Sequence, residues 1–320
     1  MHTAIAGPVR TSSFILYNLL RFFCLPFFIF GIIYTQLNAI LLCKHFQISY
    51  TATHALSIRW LLDYVSFRDD PGSNQLVDTL PMMSKRGLLL VFLADIIWSR
   101  LCNSFMFDLG LVNNHYITQR TLAFDDIVSN YEDDVDQIIS LGTGFDTRCL
   151  NVTSSSATSF FDCDLGPLLE LKRQALLEAG IDIKGIHFIP IDLRSDHWIQ
   201  SLCDQGFSFD KKTLVLIEGL TPYISSNVLV RSFKEWVKQC QAPCLMVTDV
   251  YRSSFLNPTH PCSRFLNDIL LKLCREPFKF LSKNTLLNRI KEPCNKIKIL
   301  RKQPLLANTT DIGMIYLYEI

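Results

Sequence analysis

Apolar and polar residues follow two different rhythms along this chain, and the change falls near Asp136. Before it, from about residue 49 to 130, the spacing is helical. "ATHALSIRWLLDYVSF" carries apolar residues three and four apart, and "HYITQRTLAFDDIVSNY" is a second helix candidate. "FRDDPGSNQ" between them reads as a loop from its Asp, Pro, Gly and Ser. "GLLLVFLADIIW", from Gly87 to Trp98, is a 12-residue apolar run containing Asp95. It is too short to cross a bilayer and predicts a core helix.

After Asp136 short apolar runs alternate with helical patterns. "QIISL" (137–141), "SFFDCD" (159–164), "IHFIPID" (186–192), "TLVLIEG" (213–219) and "PCLMVTDV" (243–250) predict strands. "GPLLELKRQALLEAG" follows the second strand as a helix, with Pro167 near its start and Gly180 closing it. "SSNVLVRSFKEWVKQC" is another, with Ser at its N-cap. "KIKIL" and "MIYLYEI" predict an antiparallel hairpin joined by a longer loop. Strands alternating with helices predict a mainly parallel sheet covered on both faces. The expected organisation is an apolar segment over 1–48, a helical cap over 49–130 that builds the substrate side, and an α/β domain over 131–320.

Residues 22–43, "FFCLPFFIFGIIYTQLNAILLC", carry no charge. Their length is enough to cross a bilayer, which takes roughly 20 residues. Pro26, Gly31, Gln36 and Asn38 dilute the run. Three readings stay open: a helix packed on the main domain, a helix embedded in the membrane surface, and a true span. Arg10 and Arg21 precede the segment, which for a span would hold the N-terminus in the cytosol and put all that follows outside.

Composition narrows the classes. Of 320 residues 49% are hydrophobic and 19% charged, so a large core is assured. The net charge of +1 and the lack of a Lys/Arg block give no reason to expect a nucleic-acid partner. The 11 cysteines include no C-x-x-C pair and do not cluster with the His residues. Reduced thiols in the cytoplasm, and no metal site, are the expectation.

Ligands of such sheets bind beyond the carboxyl ends of the strands, and chemistry-bearing residues recur there. "LGTGFD" places Gly142, Thr143 and Gly144 after the first strand, where glycine allows a sharp turn and a close ligand. Position 147 is Thr rather than the third Gly of a dinucleotide fingerprint, which counts against NAD. Asp164 ends the second strand, 22 residues after Gly142, and suits two ribose hydroxyls. Its neighbour Asp162 reads as solvated or capping. Asp192, after the third strand, would meet an adenine amino group or cap a helix, and Leu193 would pack on the ring or offer its N–H. Glu218 ends the fourth strand; a buried carboxylate needs a partner, and the ammonium of an amino-acid moiety would be one. Arg120 is a fork for a carboxylate, or pairs with Asp125, Asp126 or another acid. Tyr223 either lines an acceptor pocket or is core. A ligand with ribose, adenine, an ammonium and a carboxylate satisfies the set, and S-adenosylmethionine has all four.

"QRTLAFDDIV", "DQIISLGTGFDTR", "FFDCDLGPLLELKR", "FIPIDLR" and "LIEGLTPYI" occur here in an order that resembles the leucine carboxyl methyltransferase family. The resemblance covers about residues 50 to 250. It implies a class I methyltransferase Rossmann-like fold: a mostly parallel seven-stranded sheet with an antiparallel C-terminal hairpin, plus the N-terminal helical portion. It also implies S-adenosylmethionine as cofactor, with roles in binding it for Arg120, Gly142, Asp164, Asp192, Leu193 and Glu218. Arg120 would contact the methionine carboxylate, and Glu218 would lie near the methionine end. Thr143 stands where that family usually has Ala, and "FDCD" replaces F-E-V-D. The "EGL" and "FDTR" segments are closer to the branch of unassigned substrate than to the enzymes that methylate the C-terminal leucine of protein phosphatase 2A.

The expected reaction is transfer of a methyl group to a carboxylate oxygen, on a protein C-terminal leucine or a small acid. Such an acceptor is ionised at neutral pH and needs no base. No His lies inside the motifs, although His115 and His197 are near enough in sequence to serve a hydroxyl or amine acceptor. The competing readings are a membrane-associated small-molecule or lipid O-methyltransferase attached through residues 22–43, a non-catalytic S-adenosylmethionine-binding module, and an NAD-dependent oxidoreductase.

Overall fold

A computed structural model describes residues 11–102, 112–155, 158–252, 297–306 and 309–320. Seven strands form one sheet: β1 (Gln137–Leu141), β2 (Ser159–Asp164), β3 (Ile186–Pro190), β4 (Thr213–Ile217), β5 (Cys244–Tyr251), β6 (Lys298–Leu306) and β7 (Thr309–Glu319). Their order is β3-β2-β1-β4-β5-β7-β6; the first five are parallel, and β7 runs antiparallel to β5 and β6. The fold implied by the sequence motifs is borne out. The hairpin is longer than expected and its connection short, because β6 and β7 stay paired as far as Leu306 and Thr309.

The strands are legible because they are buried on both sides. Ile138, Leu214 and Leu216 face one core, with Phe124, Ile127 and Val128; Ile139, Val215 and Ile217 face the other, with Trp198, Phe233 and Trp236. The period of two along each strand thus feeds two apolar layers. The covering helices are α6 (Val112–Tyr131), α7 (Arg148–Ser155), α8 (Gly166–Glu178), α9 (Trp198–Asp204) and α10 (Ser226–Gln239).

Ahead of the sheet lie α1 (Thr11–Phe46), α2 (Tyr50–Tyr64), α3 (Pro71–Thr79), α4 (Lys85–Val91) and α5 (Leu93–Cys102). The loop expected at "FRDDPGSNQ" is half helix: Asp70 accepts from the Ser73 N–H as an N-cap, and Pro71 supplies a preset φ at the first helical position. The single core helix expected over 87–98 is two, broken at Phe92. Leu88, Phe92 and Ile96 do enter a core, with Leu56 and Trp60 of α2.

Helix α1 packs on α4 through bare backbone. A Cβ added at Gly31 would sit 2.9 Å from the Val91 nitrogen and 2.9 Å from the Leu90 Cβ. One added at Gly87 would sit 2.4 Å from the Thr35 methyl. Gly31→Ala is therefore expected to destabilise the chain by about 1–3 kcal/mol in chemical denaturation, although Ala is the better helix former. An unchanged midpoint would mean that the two helices do not meet here.

Candidate functional site

The sheet reverses its winding between β1 and β4, and the crevice beyond their carboxyl ends is where the sequence placed its candidates. β1 and β2 pair through Leu141 and Cys163, which sets Gly142 beside Asp164. Gly142 (φ 71°) and Gly144 (φ 56°) both adopt left-handed backbone, the conformation glycine allows without strain. The Gly142 and Thr143 N–H groups donate to the Cys163 carbonyl at 2.8 and 3.1 Å. The Gly144 N–H donates to Asp164 Oδ2 at 2.7 Å, and the Leu165 N–H to Oδ1 at 2.7 Å. Burial pushes the Asp164 carboxyl above its ordinary range, against the pull of those two N–H donors.

Glu218 follows β4 and gathers three arginines from distant parts of the chain. Arg148 Nη1 donates to its Oε2 at 2.5 Å, Arg59 Nη2 to the same oxygen at 3.1 Å, and Arg120 Nε to its Oε1 at 3.0 Å. The partner that a buried carboxylate was expected to need is thus supplied three times over by the protein itself. Asp146 pairs with Arg59 at 2.9 Å and with Arg148 at 2.5 Å. Asp125 takes Arg148 at 2.6 Å and Arg68 at 2.5 Å, and Arg68 also reaches Asp70. Burial alone would raise Glu218, Asp146 and Asp125, but the facing guanidinium groups hold all three below the usual carboxylate range.

Arg120 thus forms the salt-bridge alternative with acids other than Asp125 and Asp126: Glu218 at 3.0 Å and Asp249 at 3.5 Å. It lies over Gly219, where a Cβ would come within 2.8 Å of its Nη1. That Nη1 donates to the Tyr251 hydroxyl at 2.7 Å, and Tyr251 in turn donates to Asp249 at 2.7 Å. Asp249 also accepts from the Gly219 N–H at 3.0 Å.

The remaining candidates are divided between surface and core. Asp192 does not cap a helix, since α9 begins at Trp198; it accepts from the Arg194 N–H at 2.9 Å and is forked by the Arg194 guanidinium. Leu193 is buried in the core beside Trp198. Thr143 is buried, with Lys172 Nζ 3.3 Å from its hydroxyl. Tyr223 is half-buried in the turn after β4. His197 is exposed at the start of α9, and the side chain of His115 lies outside the described residues. Among the described residues no group of His, Cys, Asp or Glu is arranged to hold a metal.

Several participants were not singled out from the sequence. Arg59 is a charge on the apolar face of α2, and that misfit was its signal. Asp146 and Arg148 lie within the quoted "FDTR". Asp249 lies inside β5, two residues before its end at Tyr251. Asp162 is a correction: it is neither solvated nor a cap but fully buried against Lys172 Nζ at 2.6 Å. Burial alone would lower Lys172, yet Asp162 beside it holds the ammonium above its ordinary value.

Residues 108–236 match the profile of the leucine carboxyl methyltransferase family. A Mycobacterium marinum protein, provisionally named an S-adenosyl-L-methionine-dependent methyltransferase, is 30% identical over 146 residues, 45% of this chain and 46% of that one. A Mycolicibacterium paratuberculosis protein of the same provisional name is 34% identical over 116 residues, 36% of this chain and 38% of its own length. The chain thus spans less than half the length of these relatives. A Thermobifida fusca crystal structure, provisionally titled a methyltransferase, covers 76% of this chain and 92% of its own at 13% identity and a TM-score of 0.48.

Two substitutions probe the buried charges. Lys172→Met leaves the Asp162 carboxylate without its cation, and the expected loss is about 3–5 kcal/mol of unfolding free energy, of which Lys172→Met/Asp162→Leu recovers at least half. Glu218 has a lowered folded pKa, so its contribution is whole above about pH 4.5 and fades as pH falls through the folded value. The stability gap between the wild type and Glu218→Gln should accordingly be widest near pH 7 and narrow in acid. A gap independent of pH would refute the ionised network. Over residues 108–236 the resemblance read from the motifs is borne out: this part of the chain matches the leucine carboxyl methyltransferase family.

Proposed function

We propose that this chain is an S-adenosylmethionine-dependent methyltransferase whose acceptor is a carboxylate. The observation that carries the reading is the pairing of a left-handed glycine turn after β1 with the Asp164 carboxylate ending β2, bridged by the Gly144 N–H. The donor set suits the cofactor. Asp164 offers oxygens to the ribose hydroxyls, and Gly142, Thr143 and Gly144 give the amino-acid end a surface without side-chain bulk beyond Thr143. Arg120 keeps a second terminal nitrogen, Nη2, for the methionine carboxylate. Asp192 and the Leu193 backbone take the adenine edge, Asp192 sharing itself with Arg194. Glu218 acts as a positioning residue at the methionine end, holding Arg59, Arg120 and Arg148 in place.

When bound, the cofactor supplies an electrophilic methyl group on a sulfonium. The chain's part is to hold donor and acceptor in line and exclude water, which is where most of the acceleration of such transfers arises. A carboxylate acceptor is already ionised, consistent with motifs that contain no His and with a family defined by a carboxyl acceptor. Tyr223, half-buried after β4, would line the acceptor side.

Calorimetric titration of the full chain with S-adenosylmethionine and with NAD, repeated on Asp164→Ala, tests the cofactor. Binding of S-adenosylmethionine alone, weakened about tenfold or more by the substitution, is expected for loss of a bidentate polar contact. Binding of NAD, or of neither, would overturn the reading and favour an oxidoreductase or a non-catalytic module. Transfer of labelled methyl to candidate acids should then give a product that releases methanol in alkali; a base-stable product would exclude the carboxylate acceptor.

A further inference from the structure

Helix α1 has its polarity inside out. The stripe that packs on the protein holds Tyr17, Cys24, Gly31, Thr35, Ala39 and Cys43, mostly small or weakly polar. At about 100° per residue the opposite side carries Phe22, Phe23, Phe30, Ile33, Leu37 and Leu41, with Phe22 and Phe23 70% and 72% exposed. A helix covering a water-soluble domain does the reverse and turns its large apolar groups inward. The exposed apolar face runs from Ile15 to Leu41, about 39 Å at 1.5 Å per residue, far beyond scattered surface apolar residues.

Both halves of α1 are tied down. Near its start, Tyr17 stacks edge-on against Trp98, and its hydroxyl donates to Asp95; near its end, Asn38 Nδ2 donates to the Pro81 carbonyl at 3.2 Å. Between those points α4 and α5 lie beneath it and pack in turn on α2. The helix is long and apolar enough to cross a membrane. A span with this packing, however, would carry α4 and α5 into hydrocarbon with Arg86, Asp95 and Arg100, and charges at that depth are costly. A helix lying along the protein surface instead offers its whole outer face to the boundary of headgroups and acyl chains.

Charge selects the occupant. Residues 1–62 contain no Asp or Glu, while Arg10, Arg21 and Lys44 bracket the apolar run. A second copy of the chain would present the same basic, acid-free segment to itself. Anionic headgroups complement it.

We infer that α1 is an in-plane membrane anchor, its Phe22–Leu41 face seated among the acyl chains of an anionic phospholipid bilayer and its Gly31 stripe holding the domain to it. The inference is independent of methyl transfer, and its test uses no cofactor. Full-length protein is mixed with preformed vesicles of phosphatidylcholine, with or without phosphatidylglycerol, and floated on a density gradient. The wild type should float with the anionic vesicles and less with the neutral ones. Phe22→Glu/Phe30→Glu/Leu37→Glu, all at exposed positions, should lower partitioning about tenfold or more. Arg21→Glu/Lys44→Glu should erase the preference for anionic vesicles while leaving binding to neutral ones. A tag at the N-terminus should remain open to protease added outside the vesicles. Failure to float, flotation indifferent to the triple substitution, a protected tag (a span) or a dimer abolished by the triple substitution (a second copy) would each overturn the inference.

Discussion

Three guanidinium groups on one buried carboxylate hold this molecule's working end together. Arg59 comes from α2, Arg120 from α6, Arg148 from the start of α7, and Glu218 from the end of β4. Charges this deeply buried are tolerated only in mutual contact, since removing one leaves another stranded at a cost of about 3–5 kcal/mol. The network therefore welds the N-terminal helices to the carboxyl edge of the sheet in one arrangement. Asp146 and Asp125 extend it toward Arg68 and the N-cap of α3.

The same arrangement bears on the glycine turn. Gly142 packs against Leu220, Gly144 against Ala52, and Gly219 against Arg120. Each of the three has a positive φ. A side chain at any of them would strain the backbone as well as push on its neighbour. The turn after β1 and the turn after β4 thus interlock, with α2 closing over the first. Asp164 stands at the junction, its carboxyl raised by burial and steadied by two backbone donors.

The outer helix extends the same layering outward. The sheet carries α2 and its neighbours, these carry α4 and α5, and α4 and α5 carry α1 on a crossing narrow enough for glycine alone. Phe22, Phe23, Phe30, Ile33, Leu37 and Leu41 are left exposed on the far side of the helix. A fold that spends its smallest residues on internal contact and its largest on the exterior expects an apolar neighbour, which separates α1 from the other helices by chemistry as well as by position.

Much of this was legible in the residues themselves. Strands β1, β2, β4 and β5 are rich in apolar residues because both faces are buried, and residues able to do chemistry, Gly142, Asp164 and Glu218, stand at the carboxyl ends of β1, β2 and β4. Local signals were weaker where one dipeptide serves two purposes: Asp70-Pro71 reads as a turn and is also an N-cap followed by a first helical residue. Partnership was not legible at all. Arg59 meets a carboxylate 159 residues away, and Arg120 one 98 residues away, contacts that no spacing encodes. Asp162 reads as solvated because its cation, Lys172, stands ten residues on and meets it only through the packing of α8 on β2. Periodicity and composition act locally, so the strands, their helices and the residue types at the strand ends can be read from the residues alone. Which charges pair and which face of α1 is left uncovered depend on what long-range packing brings alongside, and these emerge only in the folded chain.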